Sequence, residues 1–302
     1  MGKVMAVCVS EARGTPKRNI GRARLRADWG VEGDAHAGNW HRQVSLLSYE
    51  AVQAFNARGA NVADGAFGEN LLVSGFDFKR LPVGTRLRCG DVRLEITQIG
   101  KECHSGCEIY QRVGDCIMPR EGVFARVLAG GEVAVGDEMT LVHRVGILTA
   151  SDKGARGERE DVSGPRIRSL LSVGYEAVAY TVVPDDRETI ARELIRLSDE
   201  VGCDLILTTG GTGFAPRDVT PEATRDVCDR MAPGIAEAIR AQSMRITSRA
   251  MLSRGVSGIR GRTLIVNLPG SPKAVEESMA VFLDVVGHGL NLLRGTDGEC
   301  AR

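Results

Sequence analysis

The chain has 302 residues, with 39 Lys plus Arg against 39 Asp plus Glu, and so no formal net charge. That length allows two ordinary domains with separate cores, and the even balance supplies no field for nucleic acid or an anionic membrane surface. With no run of about 18 apolar residues, and no charged head and apolar core over residues 1–20, neither a spanning helix nor a signal peptide is expected, and the reading is cytoplasmic.

In chain order, the first half is punctuated by short strand-like runs. Val4–Ser10, Val44–Ser48, Thr85–Cys89, Val92–Ile99 and Glu138–Val142 are rich in apolar and β-branched residues, and Gly90-Asp91 and Gly136-Asp137 break them. Tyr49–Arg58 is the clear helix here, with Val52 and Phe55 on one side. Many short strands with turn signals predict a β-rich, barrel-like or sandwich domain over residues 1–143. A basic cluster near its start (Arg13, Lys17, Arg18, Arg22, Arg24 and Arg26) reads as a solvated face, with a binding surface for a phosphate or nucleotide tail as the alternative.

From Arg144 the pattern alternates between strand and helix. Val145–Ala150, Ala177–Val183, Leu205–Thr209 and Leu264–Leu268 are short apolar runs. Helices are expected from Pro165 to Ser172, through Ile190, Leu194, Leu197 and Val201, and after Pro221. The last runs from Ser271 as N-cap through Val275, Met279, Phe282, Val286, Leu290 and Leu293 to a stop at Gly295. The alternation predicts a doubly wound α/β domain over residues 144–302, whose ligands bind beyond the carboxyl ends of the strands.

One stretch there carries chemistry. Leu205–Thr209 leads into Gly210-Gly211-Thr212-Gly213, and Thr220-Pro221 follows as an expected N-cap and first helical residue, with Glu222 in the first turn. Glycines allow positive φ and close approach of a ligand to the backbone, and amides beside a helix N-terminus seat phosphate oxygens. Asp218, between the loop and the helix, is placed to hold Mg²⁺ against those phosphates. The spacing is neither a P-loop nor a dinucleotide fingerprint. The residues alone leave two readings, a Mg-nucleotide site or a plain tight turn.

The wording of the stretch resembles the molybdopterin adenylyltransferase family, which includes the bacterial enzyme and the G domains of gephyrin and its plant counterpart. Thr-Thr-Gly-Gly-Thr-Gly, Pro-Arg-Asp-Val-Thr-Pro-Glu-Ala-Thr and Asn267-Leu-Pro-Gly-Ser-Pro-Lys273 carry the resemblance, which runs from about Arg144 to Gly295. It implies transfer of AMP from Mg-ATP to the phosphate of molybdopterin. It also implies Asp185 and Asp218 as catalytic carboxylates, with Asp218 on Mg²⁺ and Asp186 an adjacent solvated turn residue. Gly210, Gly211, Thr212 and Gly213 would take the phosphates. Asp161 and Ser163 either touch the nucleotide or cap the helix near Pro165. Ser253, Pro269, Gly270 and Ser271 would bind the pterin, with Arg254, Arg260 and Lys273 as positive contacts. Relatives of this half form trimers, so a homotrimer is expected.

Eight cysteines in such a chain favour thiol chemistry or metal over a disulfide framework. The dense group is Cys103, His104 and Cys107 beside Lys101, with Cys116 further on. It reads as a Zn²⁺ set, as inert buried thiols, or as one thiolate with its pKa lowered by Lys101 and His104. Val31-Glu-Gly-Asp-Ala-His-Ala-Gly38, Gln43-Val-Ser-Leu-Leu, Phe67-Gly-Glu-Asn-Leu71 and Val133-Ala-Val-Gly-Asp137 resemble a MOSC domain over about residues 5–142. That resemblance places the family's cysteine on Cys103, where it would bind the molybdenum of the molybdenum cofactor or carry sulfur to it. His36 and His41 are candidates to line the same pocket, a satisfied structural residue being the commoner reading of a lone His, and pyridoxal phosphate binding enters as a family-level property.

Together the two resemblances imply a bifunctional enzyme of molybdenum cofactor biosynthesis. Its partners would be molybdopterin and ATP, then a cysteine desulfurase, a molybdenum-inserting protein and a recipient molybdoenzyme. The alternatives are a non-catalytic molybdopterin or cofactor carrier and a zinc-stapled scaffold.

Overall fold

A computed structural model gives the fold, and it describes residues 1–102, 110 and 115–296. Internal contacts divide the chain into two units, Met1–Val142 and His143–Arg302.

The first unit is built from β1 (Gly2–Val9), β2 (Arg18–Asn19), β3 (Arg22–Arg26), β4 (Gly30–Val31), β5 (Val44–Ser48), β6 (Leu71–Ser74), β7 (Arg86–Cys89), β8 (Val92–Ile99), β9 (Val123–Ala129), β10 (Gly131–Ala134) and the start of β11 (Glu138–Ala150). Pairing runs β1–β6–β5–β9–β8–β7–β11, and β11 pairs back to β1 through Gly2 with Met139. Each strand of this ring therefore has a partner on both sides, which removes the open edges that invite aggregation.

The ring's inward residues, among them Val4, Val44, Leu46, Leu71, Leu94, Ile96 and Val127, form one core. Ala6, Leu47, Leu72 and Phe124 face a second cluster, which helix α1 (Tyr49–Asn56) covers with Val52 and Phe55. β5 is buried along its whole length because alternate residues serve the two cores. Ser48 caps α1, and the helix ends at Asn56 rather than Arg58. The Asn56 side chain bridges to both the N–H and the carbonyl of Val62, at 2.7 and 3.0 Å, and turns the chain.

The expected basic face is divided among separate partners. Lys17 is buried against Asp34 at 2.5 Å, Arg18 and Arg22 face Glu11 and Glu132 at 3.5 Å, and Arg13 donates to Ala35 O at 3.1 Å. On β3, Arg22, Arg24 and Arg26 alternate with buried Ala23 and Leu25, so their charge is the solvent side of a strand.

Glu69 is fully buried and accepts from Gly65 N at 2.7 Å and Phe67 N at 3.1 Å, pinning the loop before β6. Burial outweighs these bonds and pushes its carboxyl up to about 7. Between the ordinary carboxylate range and that value the folded unit holds a proton the unfolded chain has lost. Stability is then greatest at low pH and falls as pH rises through 7, by at most about 3 kcal/mol at about 1.4 kcal/mol per pKa unit. Chemical denaturation of the first unit at pH 5 and pH 8 should show this fall, and Glu69→Gln should flatten it.

The second unit takes the end of β11, then α3 (Asp152–Ala155), α4 (Ser163–Leu170), β12 (Tyr175–Val183), α5 (Arg187–Ile195), β13 (Leu205–Thr209), α6 (Thr220–Val227), β14 (Arg230–Met231), α7 (Pro233–Met244), β15 (Ser257–Arg260), β16 (Thr263–Leu268) and α8 (Pro272–Arg294); the single-turn α2 (Met118–Glu121) belongs to the first unit. The strand order is β12-β11-β13-β16-β15-β14. The first four are parallel, and β15 and β14 close the edge antiparallel. Val145, Ile147, Leu205, Leu207, Leu264 and Val266 face α4, α7 and α8. Leu148, Ile206 and Ile265 face α5 and α6. A sheet buried on both faces needs the unbroken apolar strands that the sequence shows.

From β11 the chain passes to β12 on one side and then crosses to β13 on the other, so the topological switch lies at the carboxyl ends of β11 and β13. α8 is capped by Ser271 and stopped by Gly295 at φ +72°, as its sequence predicts. Among the described residues no helix is long and apolar enough to cross a membrane.

Candidate active site

The switch point is where the second unit assembles its polar side chains. Gly210 leaves β13 at φ +91°, and a Cβ there would stand 2.3 Å from Ala150 O. Gly211 follows at φ +62°, where a Cβ would meet Thr220 Oγ1 at 2.4 Å. Two left-handed residues in succession with no room for side chains turn the loop tightly over the end of β11.

Thr220 is the first residue of α6 rather than its N-cap. It is wholly buried, and its hydroxyl donates to Gly210 O at 3.0 Å while its N–H donates to Gly211 O at 3.2 Å. The helix start is thus tied to the glycine turn, and Pro221 needs no N–H partner there.

A cavity of about 180 Å³ opens beside this turn. Thr149, Ser151, Asp161, Ser163, Gly210 and Gly270 line it. Asp161 accepts from Thr149 Oγ1 at 2.6 Å, Tyr180 OH at 2.7 Å, Ser163 N at 2.9 Å and Gly164 N at 3.3 Å. Burial pushes its carboxyl up, but these donated bonds outweigh it and hold the group below the usual carboxylate range. Asp161 therefore caps α4, which starts at Ser163 rather than Pro165, and forms the cavity wall as well. Ser163 Oγ donates to Gly270 O at 2.8 Å, and Thr209 Oγ1 donates to Pro269 O at 2.7 Å, so the Pro269-Gly270-Ser271 loop is fastened over the same opening.

The two nominated carboxylates flank the glycine turn. Asp185 Oδ1 is 3.4 Å from where a Gly211 Cβ would be, and Asp218 Oδ2 is 2.8 Å from a Gly213 Cβ. Asp185 Oδ2 accepts from Asp152 N at 2.8 Å, and Asp185 N donates back to Asp152 Oδ1 at 3.1 Å. Asp218 Oδ2 accepts from Ala215 N at 2.8 Å. In each carboxylate, Oδ1 accepts no hydrogen bond from the described residues.

Burial, with the charges of Asp152 and Asp218, raises the Asp185 carboxyl above its ordinary value despite the Asp152 amide and the nearby Arg217. Arg217 donates to Asp152 through Nε at 3.0 Å and Nη2 at 2.6 Å and holds that carboxyl down.

Arg254 has a different place from the positive contact expected of it. Nε donates to Gly213 O at 2.6 Å, Nη1 pairs with Glu222 Oε1 at 2.6 Å, and Nη2 donates to Asp218 O. Its own N–H donates to Thr212 O at 2.9 Å. The guanidinium is a brace across the loop. Lysine cannot reproduce that fork, so Arg254→Lys should lower the stability of the second unit by about 1–2 kcal/mol, read as a lower thermal midpoint with unchanged far-ultraviolet circular dichroism.

Ser253 sits next to the brace, its hydroxyl accepting from Gly255 N at 3.4 Å. Arg260, the last residue of β15, pairs with Asp199 through two contacts at 2.5 and 3.0 Å, away from the glycine turn. The Lys273 side chain is exposed and 3.9 Å from Glu277. Asp186 is the N-cap of α5, accepting from Thr189 N at 2.9 Å. Asp152, Arg217, Thr149 and Tyr180 carry the site's internal bonds, and none had a role assigned from sequence.

In the first unit, Cys103, His104 and Cys107 lie outside the described residues. Cys116 lines a cavity there together with His36. His41 contacts Gln98 Oε1 at 2.9 Å and is not among that cavity's lining residues. Burial pushes the Cys8 and Cys203 thiols up to about 12 and those of Cys89 and Cys228 up to about 11, the opposite of reactive thiolates. Among the described residues no group of three or more His, Cys, Asp or Glu could hold a metal ion.

Comparison with known proteins matches residues 146–288 to the family described as a probable molybdopterin binding domain, and residues 33–140 to the MOSC domain family. The molybdopterin adenylyltransferase of Helicobacter pylori (strain J99) is 42% identical over 160 residues, covering 52% of this chain and 90% of that protein. The molybdenum cofactor synthesis protein cinnamon of Drosophila melanogaster is 43% identical over 159 residues, covering 52% of this chain and 26% of that protein. A crystal structure of the molybdopterin biosynthesis enzyme MoaB from Thermus thermophilus is 53% identical and covers 52% of this chain and 100% of that chain, with a TM-score of 0.49.

Proposed function

Since the chain belongs, through its second unit, to the molybdopterin adenylyltransferase family, we propose that residues 144–302 transfer AMP from Mg-ATP to the phosphate of molybdopterin. In that reaction a phosphate oxygen of the pterin bonds to the α-phosphorus of ATP. The bond from that phosphorus to the bridging oxygen breaks, and pyrophosphate leaves with the electron pair. The observation that carries the reading is the pair of carboxylates, Asp185 and Asp218, set on either side of a side-chain-free glycine turn at the topological switch point.

Each part of the site has a task in this chemistry. The amides of Gly210, Gly211, Thr212 and Gly213 serve phosphate oxygens. Mg²⁺ arriving with ATP needs one or two carboxylates besides the phosphates, and the uncommitted Oδ1 atoms of Asp185 and Asp218 fit that demand. Asp161 and Ser163 form the nucleotide side of the cavity. Ser253 and the Pro269-Gly270-Ser271 loop belong to the pterin side. Arg217 and Arg254 act on the carboxylates and the loop as positioning residues.

The first unit, residues 1–143, is read as a MOSC domain whose closed ring of strands supports a barrel-like fold, and it would bind or sulfurate a later form of the cofactor at Cys103. A homotrimer belongs to the same reading, and Val285 of α8, 70% exposed, is an apolar residue available for it. The test is pyrophosphate release from ATP by the intact chain, with molybdopterin and Mg²⁺ each supplied or withheld. Release that needs both supports the reading. Release without pterin, or none from a folded, pterin-binding chain, refutes it.

A further inference from the structure

A polyphosphate at the glycine turn meets the charges of Asp152, Asp185 and Asp218 and few free cations. Arg217 is spent on Asp152 at 2.6 Å, Arg254 on Gly213 O and Glu222 at 2.6 Å, and Arg260 on Asp199 at 2.5 Å. Lys273 is exposed beside Glu277 and is not among the residues lining the 180 Å³ cavity. The basic residue that does line this cavity is Arg159.

Its place is set from both sides. Before it, Gly157 turns at φ +72° and donates its N–H to Gly154 O at 3.0 Å, while Glu158 N donates to Lys153 O at 2.9 Å. After it, Asp161 is fixed by Thr149 Oγ1, Tyr180 OH and Ser163 N. Arg159 and Glu160 alone lie between these anchors, and both line the cavity. The carboxylates on either side are engaged elsewhere: Glu158 takes Arg156 at 2.8 and 3.0 Å, and Asp161 holds the donors just named. Among the described residues the exposed Arg159 side chain has no hydrogen-bond or ion-pair partner, Glu160 included. The cavity is smaller than the roughly 300 Å³ at which pockets for whole small molecules begin, so it takes a polar portion of a substrate. The hydroxyls of Thr149, Ser163 and Thr209 are spent on Asp161, Gly270 O and Pro269 O, which leaves Arg159 as the charged donor on that wall. A guanidinium fork matches phosphate oxygens.

We infer that Arg159 binds the polyphosphate of the nucleotide at this cavity. The inference rests on the adenylylation reading for the identity of the substrate. It supplies positive charge where the leaving pyrophosphate gathers negative charge.

Titration calorimetry of the full chain with Mg-ATP tests it. Arg159→Gln should weaken Mg-ATP by about tenfold or more, as loss of a charge-assisted hydrogen bond implies, and should make the affinity less sensitive to added salt. Arg168→Gln is the matched control. That arginine is exposed on α4, has no ion-pair partner among the described residues and does not line the cavity, so the same loss of charge should leave Mg-ATP binding unchanged. Equal affinity in the wild type and Arg159→Gln, an equal loss in both variants, or a chain that binds no Mg-ATP overturns the inference. Weakened molybdopterin with unchanged Mg-ATP overturns the assignment to the nucleotide and moves Arg159 to the pterin phosphate. The adenylylation reading fails separately: a chain that binds Mg-ATP through Arg159 yet releases no pyrophosphate sinks that reading and leaves this one standing.

Discussion

Gly210→Ala should abolish activity of the second unit and cost it about 3 kcal/mol or more of stability, since left-handed strain and overpacking add. The backbone at this residue has φ +91°, and a new Cβ would fall 2.3 Å from the carbonyl oxygen of Ala150. That oxygen belongs to a central strand, so it cannot swing aside as a side-chain tip would. The chain's remedy is to lift the glycine turn off β11, which moves the amides of residues 210–213 and disturbs the cavity that Gly210 and Gly270 both line. Gly234→Ala is the matched control, since nothing lies within 4 Å of its Cβ position and the residue is in helix α7. The thermal midpoint of the Gly210 variant should drop while that of the control stays or rises, and only the control should keep activity.

Asp218→Asn should leave the fold intact and reduce turnover by about 10²-fold or more, the scale on which losing a preorganised electrostatic group acts. The asparagine carbonyl can still accept from Ala215 N, the bond that Oδ2 makes at 2.8 Å, and Arg254 binds the main-chain oxygen of residue 218 rather than its side chain. The substitution therefore removes charge without removing shape. Binding of molybdopterin should change little, and binding and use of Mg-ATP should suffer. A variant that releases pyrophosphate at the wild-type rate would remove Asp218 from the reaction.

The α/β half was legible because its strands are short unbroken apolar runs ended by glycine or polar residues, and because α8 carries caps at both ends. α7 was not, since it opens on Pro233-Gly234 and buries only Ala236 and Ile239, too few apolar residues to show a period. β11 was read as two strands because His143 and Arg144 interrupt its apolar pattern. The structure pairs them with Tyr175 and Glu176 inside the sheet. In the first half, two-residue strands such as β2 and β4 carry no periodicity at all.

The site divides along the same line. Gly210, Gly211 and Gly213 were visible because only glycine suits such a turn. The role of Arg254 was not, because it acts on main-chain oxygens 36 and 41 residues earlier in the chain. The Arg217–Asp152 pair spans 65 residues, and no local pattern announces a partner at that distance. Cys103, the residue on which the first unit's chemistry was placed, lies outside the described residues, and its role rests on resemblance.

The most direct measurement is label transfer from ATP radiolabelled in the α-phosphate, incubated with the intact chain, Mg²⁺ and molybdopterin. Labelled adenylylated pterin should form in step with pyrophosphate, and Asp218→Asn should abolish it. Molybdopterin bound by a folded chain that never acquires the label would contradict it and identify the second unit as a carrier.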